Sequence, residues 1–305
     1  MPDRINPSHS RALTAALAVT FLWSSSWVLI RWGLDDEALE PLTFAALRYG
    51  LATVVLAAWL ASKPAARGSI RSLDRSTLAR VGGLGLVFYA VTQGAQFVAI
   101  DNQPAATTSL VLSLSPLLVA GLGARTLGEH PSGRQVVGAL AVVAGAWLYF
   151  SGDLGATTAG MVAALIGLLA NVAAALMGRQ INRTATVAPT VVTVMSMGIG
   201  AVALIVTGLV VEGIPEISWR AALIIAWLAV FNTALAFTMW NYSLRDLSAV
   251  ESSAINNTML IQIALLAWIF LREPLGSGEI SGIVLVSLGV LLVQTRGAVT
   301  RPRSG

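Results

Sequence analysis

The chain has 305 residues, 56% of them hydrophobic and 11% charged, with a mean hydropathy of +0.76. A soluble domain carries about 25% charged residues, so a single soluble core cannot hide this much apolar surface, and the composition predicts an integral membrane protein. Cysteine is absent and both histidines, His9 and His130, lie in polar segments, which excludes disulfides and thiolate sites and argues against any metal or cofactor.

The net charge of +4 would suit nucleic acid in a soluble protein. Here the basic residues fall between apolar runs and report orientation in a bilayer, so no nucleic-acid partner is expected. The first apolar run, from Ala12 to about Ile30, is long for a secretory signal and reads as a retained membrane helix. An apolar stretch of about 20 residues crosses the hydrocarbon core as a helix. Ten such segments are predicted, at roughly 12–32, 42–62, 78–100, 104–124, 133–150, 157–178, 188–211, 219–243, 249–271 and 278–296. The connections are short, so the expectation is an all-α integral membrane protein with one membrane domain over 1–305.

Along this chain the polar groups inside apolar helices mark candidate functional positions, because such groups are costly in lipid and turn toward the bundle interior or a cavity. The first helix carries Trp23 and Trp27 one turn apart around Ser24, Ser25 and Ser26. Trp23 lies too deep for an interfacial belt, which leaves core packing or a ligand platform. The third helix places Tyr89, Gln93 and Gln96 at i, i+4 and i+7, on one face. The fourth places Ser109, Ser113 and Pro116 on one face, and Pro116 is expected to kink the helix as a hinge. The sixth offers Asn171, the eighth Asn232, and the ninth Ser253, Asn256 and Asn257. Serines in membrane helices more often bond their own helix or glue a neighbour than bind a ligand. No Lys, Arg or acid is expected near the midplane, so the predicted cavity is uncharged. It would suit a net-neutral polar solute with an apolar part, with half-helix ends holding the charges of a zwitterion.

The stretch from Ala105 is written twice. Ala105, Ser109, Leu122, Leu127, Glu129, Gly138, Gly145 and Leu148 recur 144 residues later as Ala249, Ser253, Leu266, Leu271, Glu273, Gly282, Gly289 and Leu292. The position matching Pro116 is Leu260, so its kink is not shared. Pro41 and Pro189 stand where the second and seventh helices begin and are 148 apart, as are Arg31 and Arg179. The two repeats, about 12–152 and 153–297, hold five helices each, and an odd number makes the second copy enter the membrane from the opposite side. With both termini in the cytoplasm, 15 of the 19 basic residues fall inside, leaving Arg31, Arg48, Arg220 and Arg272 outside. Trp32, Trp59, Trp147, Trp219 and Trp268 fit aromatic belts, and Gly278-x-x-x-Gly282 fits a close helix crossing, consistent with a monomer or a weak homodimer.

The repeated pattern A-x-x-x-S, L-x-E and G-x-x-x-x-x-x-G, with ten helices in two halves, resembles the EamA-type branch of the drug/metabolite transporter superfamily over residues 12–296. Within that branch the chain is most similar to bacterial inner-membrane exporters of aromatic amino acids. The resemblance implies a basket-shaped bundle with a central cavity formed by helices 1, 3, 4, 6, 8 and 9, and with helices 5 and 10 peripheral. Glu129 and Glu273 then cap a helix or pair with a nearby Arg. The expectation is an alternating-access exporter of aromatic or other neutral amino acids, embedded in the bilayer of the bacterial cytoplasmic membrane. Its small-molecule substrate would be bound by Trp23, Tyr89, Gln93, Gln96, Ser113, Asn171, Asn232, Asn256 and Asn257, and no cofactor is required. The rivals are an exporter of drugs or other metabolites on the same scaffold and a membrane subunit that transports nothing.

Overall fold

The computed structural model describes residues 7–62, 74–115, 117–118, 122, 133–149, 155–183, 188–243, 247 and 249–294. Every regular element among them is helical: α1 (Pro7–Asp35), α2 (Pro41–Ala61), α3 (Arg75–Asn102), α4 (Ala105–Ser113), α5 (Gly133–Tyr149), α6 (Thr158–Arg183), α7 (Pro189–Val211), α8 (Trp219–Ser243), α9 (Ala249–Leu271) and α10 (Ser277–Gln294). Six helices, α1, α2, α3, α6, α7 and α8, are long and apolar enough to cross a membrane, and α5, α9 and α10 contain shorter apolar helices. The chain is a multi-pass membrane protein. The predicted hinge at Pro116, and Glu129 with it, lie outside the described residues.

The helices begin where the sequence supplies a start. Pro41 and Pro189 occupy the first turns of α2 and α7, where a missing N–H costs nothing. Asp74 caps α3 by accepting from the Thr77 N–H at 3.2 Å, and the Thr77 side chain, more than that backbone bond, holds its carboxyl below the usual carboxylate range. Ser218 caps α8 through the Ala221 N–H at 3.0 Å. The five tryptophans expected in belts, Trp32, Trp59, Trp147, Trp219 and Trp268, are all exposed on the bundle's outer surface.

Two carboxylates cap helices to which they do not belong. Glu212, just past α7, accepts from the Leu42 N–H at 2.8 Å, and from the Thr43 N–H and hydroxyl at 2.7 Å each. Glu273, just past α9, accepts from the Ala105 and Ala106 N–H groups at 2.8 and 3.2 Å. Each satisfies orphan donors at a helix start and places negative charge at the positive end of its dipole. Burial pushes the Glu273 carboxyl above the ordinary range, while the two backbone donors pull the other way. At this same end of the bundle Arg31 pairs with Asp35 at 2.6 Å and donates to the Ile100 and Asp101 carbonyls of α3. Thr157 donates to the Asn102 carbonyl at 2.9 Å.

Helices α5 and α10 cross in direct backbone contact. A Cβ added at Gly145 would sit 2.7 Å from the Val286 nitrogen and 2.9 Å from the Gly282 oxygen, and one added at Gly289 would sit 2.7 Å from the Gly138 oxygen. The two helices are therefore antiparallel, with Gly138 facing Gly289 and Gly145 facing Gly282. The close crossing expected at Gly278-x-x-x-Gly282 is thus made within the chain, where Gly282 packs against α5. The opposite side of α5, with Leu140, Val143 and Trp147, is exposed.

Besides Ala267–Leu271 of α9, two helices contain wide π turns, at Leu86–Thr92 of α3 and Val230–Leu235 of α8, and these two start 144 residues apart, the spacing of the repeat. A π turn frees a carbonyl from the regular ladder. In each case a threonine hydroxyl takes up a carbonyl five residues back, Thr92 to Val87 at 2.9 Å and Thr233 to Leu228 at 2.8 Å. The largest buried cluster lies between these helices, α2 and α7, with Ile30, Phe44, Tyr49, Phe97, Met197 and Leu228 at its centre.

Candidate functional site

A cavity of about 360 Å³ opens inside the bundle, walled by α1, α2, α3, α4, α6, α8 and α9. Trp23, Gln93, Gln96, Ser113, Asn171 and Asn256 all line it, so helices distant in sequence bring six of the nine predicted residues to one space. Helix α2 is an addition to the six expected walls.

The aromatic side of the cavity is built on Trp23. Its ring lies 5.4 Å from that of Phe237 and 5.3 Å from that of Trp240, tilted against both. The two open alternatives for Trp23 merge: it packs against α8 and also presents its ring to the cavity. The polar side is built from amides. Gln93 accepts from the Tyr49 hydroxyl at 2.6 Å. Asn171 donates to the Ser115 hydroxyl at 2.9 Å, and that hydroxyl donates to the Leu112 carbonyl at 2.7 Å. Ser109 and Ser113 bond back to Ala106 and Leu110 of their own helix, so their hydroxyl protons are already committed. Among the described residues neither the Gln96 nor the Asn256 amide has a partner within the protein.

Three predicted residues stand elsewhere. Tyr89 is 3% exposed and packs edge-on against Tyr49 and Phe88, at ring distances of 5.6 and 4.8 Å, away from the cavity. The reason is the π turn: Tyr89 lies inside Leu86–Thr92, where the wider turn breaks the i, i+4, i+7 register that would have aligned it with Gln93 and Gln96. Asn232 is fully buried, donates to the Leu22 carbonyl and to the Ser25 hydroxyl at 3.2 Å, and thereby ties α8 to α1. It does not line the cavity. Of Asn257 only the helical backbone in α9 is described.

The sequence reading also missed a residue. Arg48 is the eighth residue of α2, only 5% exposed, and part of the cavity wall. Its Nε donates to the Thr233 hydroxyl at 3.1 Å, and its guanidinium carbon lies 5.1 Å from the centre of the Tyr49 ring and 5.9 Å from that of Phe97. The expectation of an uncharged cavity is therefore corrected: a cation is fixed in its wall. The signal was present, since a charge inside an apolar helix marks a functional position by default. Counting Arg48 with the outer loops concealed it. Gln262 was overlooked as well. It accepts from Ser24 at 3.0 Å and donates to Thr258 and Thr20 at 3.0 and 3.3 Å, clasping α9 to α1 outside the cavity.

Aromatic rings, amides and one guanidinium give the cavity groups that can stack on, hydrogen-bond to or pair with a small solute. Among its described lining residues no hydroxyl faces a histidine or carboxylate that would activate it.

Comparison with known proteins places this architecture. One solved crystal structure superposes over 93% of this chain and 96% of its own with a TM-score of 0.63 at 20% identity, which shows a shared fold. An uncharacterized transporter of Bacillus subtilis (strain 168) is 28% identical over 277 residues, covering 83% of this chain and 84% of the relative. A probable terminal-alkyne amino-acid exporter of Streptantibioticus cattleyicolor is 26% identical and covers 94% of each chain. A probable amino-acid metabolite efflux pump of Escherichia coli (strain K12) is 25% identical, covering 91% of this chain and 92% of the relative. The sequence pattern of the EamA-like transporter family matches residues 10–151 and 159–295. With helical architecture, repeat and pattern in agreement over nearly the whole length, the chain belongs to the EamA-like transporter family of the drug/metabolite transporter superfamily.

Proposed function

We propose that this transporter exports neutral amino acids, aromatic or otherwise bulky, across the bacterial cytoplasmic membrane by alternating access, with both termini in the cytoplasm. The observation that carries this reading is the cavity, where the Trp23 and Phe237 rings and the amides of Gln93, Gln96 and Asn171 share one space of about 360 Å³. Ligand pockets run from roughly 300 to 1,000 Å³, so this one favours a solute of metabolite size over a bulky drug. Two relatives bear names that refer to amino-acid or amino-acid metabolite export.

The two halves are read as inverted repeats of five helices. The reciprocal glycine contacts of α5 and α10 support this, because exchanging the repeats turns Gly138 facing Gly289 into Gly282 facing Gly145. The π turns 144 residues apart support it too. In such a design the halves rock about a site near the midplane.

The test is flux into liposomes containing the purified protein, with labelled tryptophan, phenylalanine, a sugar, a nucleoside and a cationic dye. Amino-acid flux is expected, together with its loss in Gln96→Ala at unchanged folding. Flux of the dye alone would replace the reading with drug export, and absence of flux for every solute would remove it.

A further inference from the structure

We infer that Arg48 is the anion-recognition group of the cavity, and that the feature every substrate must carry is a carboxylate. This rests on the transport reading and narrows it, because it replaces the neutral, zwitterion-matching site by one that demands a negative group and makes no matching demand for a positive one.

Arg48 is buried, yet among the described residues no carboxylate pairs with it; the ion pair found there is Arg31 with Asp35, at the end of the bundle. A guanidinium has five N–H donors. One of them, on Nε, is taken by Thr233, and the remaining four lie on the two terminal nitrogens of a side chain in the cavity wall. Buried charges are otherwise paired or hydrogen-bonded. The planar fork of a guanidinium matches the two oxygens of a carboxylate.

The surroundings fix that fork in place. Thr233 holds one edge, and the Tyr49 ring approaches the cation at 5.1 Å. The same Tyr49 donates its hydroxyl to Gln93 Oε1. With its oxygen engaged, Gln93 is left with its Nε2 donors for the cavity it lines. Cation and amide thus both offer hydrogen-bond donors. The described lining includes no Asp or Glu, so nothing there demands an ammonium group. The solute supplies the missing negative charge through its carboxylate, and its apolar remainder goes to the rings of Trp23 and Phe237.

The experiment measures binding of probes to the full-length protein in lipid nanodiscs by calorimetry. Tryptophan, phenylalanine, leucine and indole-3-propionate carry a carboxylate, whereas tryptophanamide and tryptamine keep the indole without it. Tryptophan and indole-3-propionate are expected to bind at least tenfold more tightly than tryptophanamide and tryptamine. In Arg48→Gln that ratio falls toward one, and in Arg48→Lys it persists at weaker overall affinity. Should Arg48→Gln not fold, the six probes on the unaltered protein still decide. Equal or tighter binding of tryptamine or tryptophanamide overturns the inference and leaves amino-acid transport standing if tryptophan is still carried. Binding of indole-3-propionate without any of the three amino acids upholds Arg48 and defeats the amino-acid reading. Failure of all four carboxylate probes to bind overturns the inference.

Discussion

Where α5 crosses α10, backbone meets backbone, with glycine on both sides and no room for a Cβ. Around the cavity, side chain meets side chain, and the Ser109 and Ser113 hydroxyls spend their protons on their own helix. The two regions hold helices together by different means. Close glycine contact gains dispersion from many atoms at once and loses it sharply with displacement. A self-bonded hydroxyl such as that of Ser109 or Ser113 carries no obligation to the neighbouring helix, and the bonds that cross between helices there are those of Asn171 to Ser115, Tyr49 to Gln93 and Arg48 to Thr233. Backbone packing holds the crossing, while hydrogen bonds between a few side chains hold the cavity wall.

The strongest way to break this contrast is Gly145→Leu. Its side chain would meet the Val286 nitrogen and Gly282 oxygen, and overpacking of this kind costs roughly 3 kcal/mol. Unfolding in detergent should show the loss, and a change within about 0.5 kcal/mol, the range of harmless surface substitutions, would mean the crossing is loose. Next comes Thr233→Val, which removes the acceptor of Arg48 and the donor to Leu228. Leaving a buried donor unsatisfied costs about 1–3 kcal/mol. Thr233→Ser should recover most of it, and a valine variant as stable as the parent would show that Arg48 is not held there.

A smaller effect appears as a slope against pH. The Glu273 carboxyl is raised above its unfolded value by burial. A group raised in the folded state stabilises below its unfolded value, and that contribution is lost as pH rises through the folded value. The parent should therefore lose thermal stability across this window, while Glu273→Gln, which keeps one acceptor oxygen for the Ala105 and Ala106 donors and cannot titrate, should show a flatter curve. Parallel melting profiles for the two would contradict the assignment. The smallest effect is expected at the cavity wall. Ser113→Ala removes only a bond to Leu110 of the same helix and should stay within about 0.5 kcal/mol. A larger loss in the same unfolding assay would show the wall to be tied more firmly than its bonds suggest.

Much of the fold was legible in the sequence, since apolar runs, helix-starting prolines and the repeated glycines act through composition and period. The glycine pattern was visible as a motif, although only coordinates reveal that its two copies face each other. Gln93, Gln96 and Asn171 could be placed because ordinary helical spacing holds at those positions. Tyr89 could not, because the π turn around it is set by tertiary packing and leaves no mark in the residue order. Arg48 was misplaced for a different reason. It follows Pro41 by only seven residues, about two turns into α2, and helix ends read from sequence are uncertain by about two to four residues, so it was counted with the outer side.

Glu212 carries one last consequence. By gripping the first turn of α2 from the tail of α7, it rivets the helix that bears Arg48 to a neighbour that the cavity does not touch. The helix that carries the guanidinium is thereby held at its start by an element that lines no part of the chamber. In the proposed alternating cycle, a solute's head group would meet the same electrostatic landmark whichever face of the bilayer the chamber had last been open to.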